Sequence, residues 1–166
     1  AVQRFIDDYL DQFDSFMDRQ FKRLEESMPE SGDNSKRFEK SKVAAREFLL
    51  ALDAEVEDRP RMRRIRAGLL FIESYRQLPL LAWPRLLIDS VVAMEQLTLI
   101  WRNRHARMVE RMIGRRVGTG GSSGVDYLDK TGQVRIFTDL WAVRTVMMPK
   151  DSLPPLGNPE FYGFAT

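Results

Sequence analysis

The stretch RLLIDSVVAMEQLTLIWRNRHARMVERMI, residues 85–113, carries the longest run of helical periodicity in the chain. Its apolar side chains recur at steps of three and four residues, and Pro84 and Gly114 stand at its two ends. Because proline is favoured at helix starts and glycine just after helix ends, this pattern predicts one long helix from Arg85 to Ile113. We therefore expect an all-α helical bundle in which this helix is the central element.

The segments on both sides of this stretch repeat the same periodicity. Apolar positions predict helices over residues 2–28 and 38–56, which would form a helical hairpin, and a third helix between Pro60 and the break at Pro79. Residues 136–148 predict one more helix. No segment alternates apolar and polar residues as a half-buried strand does, so we expect no strands.

Composition bounds the class of protein. With 166 residues the chain has the length of one domain, and we expect residues 1–166 to form a single all-α domain. It has no cysteine, which excludes disulfides, zinc–thiolate sites and iron–sulfur clusters. Lysine and arginine number 26 against 24 acidic residues, a balance that is not typical of nucleic-acid binding. No membrane helix or signal peptide is recognisable, so we expect a cytoplasmic protein without a membrane partner.

His105 is the only histidine of the chain, and it lies on an apolar face of the long helix. Five other residues share that face. Thr98 and Trp101 lie seven and four residues before His105, and Met108, Val109 and Met112 lie three, four and seven residues after it. Apolar surroundings favour a neutral imidazole, whose free ring nitrogen can bind a metal. Without cysteine or a second histidine, the metal must bring most of its own ligands, as haem iron does. From periodicity alone, a packed core histidine remains the simpler explanation.

Many arginines flank His105 on the same helix and just beyond it. They point in too many directions to form one stripe, so we expect most of them to lie on the solvated side. One or two are candidates to pair with haem propionates, since a guanidinium group matches a carboxylate through two parallel hydrogen bonds. The residues are Arg102, Arg104, Arg107, Arg111, Arg115 and Arg116.

A glycine-rich run, GTGGSSG at residues 118–124, follows the long helix within residues 115–133, whose composition is that of a loop. It differs from phosphate-binding loops: it lacks Gly-Lys-Ser/Thr, has Ser123 where the dinucleotide fingerprint has its third glycine, and follows a helix rather than a strand. We expect a run that is flexible until a ligand holds it, or else a plain connector. Neither an acid–base carboxylate pair nor a serine nucleophile motif is recognisable, so no catalytic side chain is assigned.

Several motifs together resemble the C-terminal part of the tryptophan 2,3-dioxygenase family. The resemblance is densest over residues 66–149 and extends, at the level of helix pattern, over nearly the whole chain. It implies an all-α protein of the haem-dependent aromatic oxygenase superfamily. The motifs are Tyr75-Arg-Gln-Leu-Pro79, Trp101-Arg-Asn-Arg-His105, Arg111-Met-Ile-Gly114, the glycine-rich run and Tyr127-Leu128.

The resemblance also implies roles for individual residues. His105 takes the position of the family's proximal haem ligand, and Thr119, with the backbone at Gly120, takes that of the substrate-contacting threonine. Trp101, Met108 and Met112 are the expected haem-pocket residues. The implied cofactor is haem b, one per subunit, and the implied reactants are O₂ and L-tryptophan or a related indole amino acid. The implied product is N-formylkynurenine, and the implied assembly is a homotetramer.

The family's distal histidine, carboxylate-binding arginine and indole-pocket aromatic residues have no counterpart in this sequence. The single histidine is already matched to the proximal position. We therefore expect the chain to be the C-terminal portion of a longer enzyme, with the distal half of the site supplied from outside it. Two alternatives stay open: a related haem enzyme that acts on a modified tryptophan, and a shortened haem-binding protein without turnover.

Overall fold

The structure of the protein is a computed structural model that describes residues 1–27, 34–116 and 124–163. These ranges contain α-helices and short 3₁₀ turns but no strand, which confirms the predicted all-α class. The helices are α1 (Val2–Ser27), α2 (Asn34–Leu49), α3 (Arg59–Ser74), α4 (Ala82–Ile113), α5 (Val125–Thr131) and α6 (Thr138–Ala142). The 3₁₀ turns are Pro79–Leu81, Val143–Val146, Lys150–Ser152 and Pro159–Tyr162.

The chain divides into two compact units. The first comprises Ala1–Arg85 together with Asp139–Thr166, and the second comprises Leu86–Thr138. The second unit therefore contains most of α4 and the whole of α5. The expectation of one domain over residues 1–166 stays a prediction.

The core of the first unit lies where α1 packs against α2 and α3, as the predicted hairpin requires. α1 buries Ile6, Tyr9 and Phe13 at three- and four-residue steps, which is the spacing of one helix face. The hydroxyl group of Tyr9 donates a 2.8 Å hydrogen bond to the carbonyl oxygen of Val146. Burial raises the pKa of Tyr9 to about 12. This bond ties the last segment of the unit to its first helix.

A buried arginine of α3 joins three parts of the first unit. The guanidinium group of Arg66 donates to both carboxylate oxygens of Asp53, at 2.5 and 2.7 Å, and to Asp139 at 3.0 Å. It also lies 4.8 Å from the centre of the Phe48 ring. The hydrogen bonds from Arg66 lower the pKa of Asp53 below its ordinary value. Arg66 thus connects α2, the turn after it and the start of α6.

Two predicted helices end earlier than expected. The second helix, predicted to reach residue 56, stops at Leu49, and residues 50–54 form turns instead. Ala51 has a φ of 50°, a left-handed conformation that ends a helix. The last helix, predicted over residues 136–148, consists of α6 and one 3₁₀ turn and gives way to extended backbone at Met147. Pro149 explains part of this, because the residue before a proline avoids the helical region.

The second unit contains most of the long helix, and the ends of that helix are close to those predicted. α4 stops at Ile113, and the next residue, Gly114, has a φ of 64° that suits only glycine well. Residues 115–133, expected to be loop-like, contain the short helix α5. The carboxylate of buried Glu95 accepts hydrogen bonds from the backbone amides of Ile136 and Phe137, the latter at 3.0 Å. Glu95 therefore anchors the segment after α5 to the middle of α4.

The described part of α4 buries only Glu95 and Ala106. Many of its large apolar side chains are exposed. The central position expected for this helix stays a prediction. None of the helices in the described ranges has the length and apolar character needed to cross a membrane. The exposed apolar residues of α4 in the second unit are Leu86, Leu87, Met94, Leu97, Ile100, Trp101, Met108, Met112 and Ile113.

Candidate functional site

The imidazole ring of His105 is half-buried and stacks on the indole ring of Trp101. The ring centroids are 5.4 Å apart and the planes meet at 13°. The two residues are four apart on α4, so consecutive turns of one helix place the rings face to face. Within the described ranges, neither imidazole nitrogen has a hydrogen-bond partner. A ring nitrogen of His105 is therefore available to a ligand from outside these residues.

A cavity of about 360 Å³ lies beside His105. One wall comes from α4, and the other comes from α5 and the residues that follow it. The cavity is mainly apolar, with aromatic and aliphatic side chains from both walls. Its lining residues are Trp101, Arg102, His105, Tyr127, Leu128, Thr131 and Val134.

Arg102 fixes the far wall of this cavity. Its guanidinium group donates hydrogen bonds to the carbonyl oxygens of Thr131, at 3.2 Å, and Val134, at 3.1 Å. These bonds fasten the end of α5 and the turn after it to α4. The sequence does not distinguish Arg102 from the arginines around it, because the acceptors of its bonds are backbone atoms about thirty residues away.

Ion pairs hold α5 against the C-terminal part of α4. Arg107 pairs with Asp129 of α5 and with Glu110 of its own helix. Arg115 pairs with Asp126, at 2.7 Å, and with Glu110, at 3.0 Å. Arg115 precedes residues 117–123 and Asp126 follows them. This network therefore joins the chain just before the glycine-rich run to the chain just after it.

The end of α5 passes close to α4 at Gly132. A Cβ atom added there would lie 2.8 Å from Oδ1 of Asn103. The Asn103 side chain donates a 2.9 Å hydrogen bond to the carbonyl oxygen of Leu99, one turn earlier on α4. Glycine at residue 132 thus lets the end of α5 contact α4 without displacing this side chain.

The apolar helix face of His105 led us to expect apolar surroundings, but its neighbours Trp101, Met108 and Met112 are 63%, 51% and 74% exposed and do not enclose it. The reason lies in the helix geometry. Each residue turns the helix by about 100°, so Arg102, which contacts the segment after α5, lies on one flank of His105 and Met108 lies on the opposite flank. Met108 and Met112 line a separate concavity. Their role in a haem pocket stays a prediction.

Other predicted site residues lie outside the described residues. Thr119 and Gly120 both fall between the described ranges, and their roles stay predictions. Within the described ranges, no group of three or more histidine, cysteine, aspartate or glutamate residues is arranged to hold a metal ion. A single imidazole, with the remaining metal ligands brought by a cofactor, is the kind of metal site that these ranges can support.

The chain is similar in sequence to known proteins over most of its length. The family model described as tryptophan 2,3-dioxygenase matches residues 4–147. Tryptophan 2,3-dioxygenase 2 of Ralstonia nicotianae is 48% identical over 99% of this chain and 47% of its own length. A tryptophan 2,3-dioxygenase-like protein of Xanthomonas campestris is 48% identical over 98% of this chain and 62% of its own length. The tryptophan 2,3-dioxygenase of Sorangium cellulosum is 54% identical over 77% of this chain and 32% of its own length. The chain thus spans about half the length of the curated relatives it matches.

Proposed function

This chain belongs to the tryptophan 2,3-dioxygenase family, and from that premise we propose that it carries the proximal haem side of a dioxygenase. The enzyme would cleave the indole C2–C3 bond of L-tryptophan with O₂ and release N-formylkynurenine. The observation that carries this proposal is His105, whose imidazole stacks on Trp101 beside an apolar cavity and keeps a ring nitrogen free of partners in the described ranges.

The residues around His105 fit one axial side of a haem group. One protein imidazole is enough for a proximal ligand, and the neighbouring apolar side chains suit the face of a porphyrin. Stacking on Trp101 restricts rotation of the imidazole, and α4 gives the ring a rigid support. When bound, haem supplies the iron chemistry that activates O₂ for insertion into the substrate. The protein residues orient the ligand and exclude water from one side of the site.

We propose that Thr119 and the backbone at Gly120 bind the ammonium group of the amino-acid substrate. Support comes from the family resemblance of residues 118–124 and from what flanks them. The two helices that this segment connects both line the cavity at His105, through Trp101 on α4 and Leu128 on α5. The Arg115–Asp126 ion pair holds these helices together next to the segment.

We further propose that the protein acts as a homotetramer in the cytoplasm with one haem b per subunit. The exposed apolar face of α4 supports an assembly, because large contiguous apolar surfaces on soluble proteins mark interaction sites. The distal side of the haem would then be contributed by residues outside this chain.

Haem titration of the wild-type chain and the His105→Ala variant tests the ligand assignment. We expect wild-type protein to give a Soret band typical of a histidine-ligated haem. The variant should lose that band or bind haem much more weakly, because the axial bond is gone. A variant with the same Soret band and the same haem affinity as wild type would contradict the proposal.

A second measurement tests the reaction. Enzyme that includes the proposed distal residues from outside this chain is loaded with haem, reduced and incubated with L-tryptophan and ¹⁸O₂, and the product is weighed by mass spectrometry. We expect a product heavier than tryptophan by two labelled oxygen atoms. Haem binding through His105 without this product would overturn the dioxygenase proposal for the chain and favour haem binding without turnover.

A further inference from the structure

A groove on the far flank of α4 combines cationic and methionine side chains. Its volume is about 560 Å³. We call it the arginine–methionine groove, and it belongs entirely to the second unit. Its lining residues are Asn103, Arg104, Arg107, Met108, Arg111 and Met112.

The three arginines of this groove differ in their contacts. Arg107 is engaged by Asp129 and Glu110. Arg104 and Arg111 make no hydrogen bond or ion pair with any residue of the described ranges, and both are exposed. Their guanidinium groups are therefore open to an anionic ligand at no cost in existing ion pairs.

Arg104 and Arg111 lie on the same flank of His105. They are seven residues apart, which on an α-helix means nearly the same angular position and a separation of about 10.5 Å along the axis. Met108 lies between them in the groove. Two cations thus line one side of the histidine face, spaced along the helix with an apolar, polarisable side chain between them.

The opposite flank of His105 offers a carboxylate less cationic surface than the arginine–methionine groove does. That flank is the wall formed by Leu128, Thr131 and Val134. Among the described residues that line this cavity, the cation is Arg102, whose Nη1 already donates to two backbone carbonyl oxygens. A carboxylate paired with Arg102 would compete with these bonds, which hold the end of α5 to α4.

We propose that Arg104 and Arg111 bind the two carboxylates of the porphyrin whose iron is held by His105, and that Met108 contacts the ring edge. Both propionates leave the same edge of a porphyrin, and the arginine–methionine groove is the flank that offers them cations. A guanidinium group pairs with a carboxylate through charge-assisted hydrogen bonds, which are stronger than neutral ones. This inference rests on the proposed function, since it takes His105 as the axial ligand.

The test compares two porphyrins that differ only in their carboxylates. The full chain and its Arg104→Gln/Arg111→Gln variant are titrated with ferric protoporphyrin IX and with its dimethyl ester, and affinity is read from the Soret band. We expect the double variant to bind the free acid at least about tenfold more weakly and the ester with unchanged affinity. Wild-type protein should prefer the free acid, and the variant should lose that preference.

The control is Arg61→Gln, which removes an exposed positive charge from α3 in the other unit. It should leave both affinities unchanged. If the double variant keeps the wild-type preference for the free acid, or weakens both porphyrins equally, the carboxylate assignment is wrong. If instead His105→Ala leaves the Soret band of the free acid unchanged, the proposed function itself fails, so the two failures are distinguishable.

Discussion

Arg102 and Arg104 lie two residues apart on α4, yet their guanidinium groups have different surroundings. Arg102 donates to two backbone carbonyl oxygens and holds the segment after α5 in place. Arg104 has no partner in the described ranges and lines a groove. Each residue turns an α-helix by about 100°, so two residues that are two positions apart point to nearly opposite sides of the helix. The identity of a residue therefore says less about its role than its angle relative to the packed element.

The buried guanidinium group of Arg66 gives a prediction about stability. Arg66→Lys keeps the positive charge but loses the fork that donates to both oxygens of Asp53 and to Asp139. We expect a loss of about 3 kcal/mol in the free energy of unfolding, at the low end for a broken buried pair because Asp53 is exposed. Urea denaturation followed by circular dichroism measures it.

The control for this change is Arg64→Lys, two residues earlier on the exposed side of α3, which should shift the free energy of unfolding by less than about 0.5 kcal/mol. The effect of Arg66→Lys should also depend on pH. The pKa of Asp53 is lowered from 3.8 by Arg66, so this stabilisation is complete above that ordinary value and is lost as the pH falls below it. Equal losses for Arg64→Lys and Arg66→Lys would contradict the role given to Arg66.

Sequence alone predicted the residues that repeat a helical pattern but not the charged residues that fix its tertiary contacts. Ile6, Tyr9 and Phe13 are recognisable as core from their spacing. Arg66 and Glu95 are buried and hydrogen-bonded, and nothing in their local sequence distinguishes them from exposed charges. The groups that compensate their burial lie 13 to 73 residues away, as for Asp53 and Asp139. Only the folded chain brings these partners together.

At the level of helices, ends marked by glycine were predicted and ends set by tertiary contacts were not. Gly114 terminates α4 where the sequence indicated. α2 ends just before Ala51, whose backbone is left-handed. Alanine does not favour that conformation, so the local sequence gives no sign that the helix ends there. α5 was missed because its seven residues are too few for a recognisable period. Ion pairs join it to α4, and their partners are not visible in its local sequence.

Glu95 gives a prediction for the segment that follows α5. In Glu95→Leu, the backbone amides of Ile136 and Phe137 lose their acceptor, so we expect their hydrogen exchange to accelerate by about tenfold or more. Glu95→Gln keeps a side-chain acceptor and should retain most of the protection. Exchange measured by NMR checks this, with the amides of α1 as an internal control. Unchanged exchange at both residues in Glu95→Leu would contradict the anchoring role.

For the whole molecule, the two units differ in how much of their large apolar side chains is buried. The first unit encloses a core between α1, α2 and α3, in which Phe13, Leu49 and Leu70 are fully buried. The second unit leaves most large apolar side chains of α4 exposed. A helix with this much exposed apolar surface is typical of one that is covered by another chain or segment. The same surface includes Trp101, so assembly and the proposed haem site are expected to be linked.

The exposed apolar face of α4 predicts that the chain associates through this helix. Two matched substitutions test this prediction. Leu97 on α4 and Val56 in the first unit are almost equally exposed, at 67% and 69%. If α4 is the association surface, Leu97→Lys places a charge in an apolar interface and should weaken self-association at least about tenfold. Val56→Lys should leave the assembly intact. Light scattering coupled to size-exclusion chromatography, at one protein concentration, gives the masses. Equal masses for wild type and Leu97→Lys, with dissociation in Val56→Lys, would place the interface on the first unit instead.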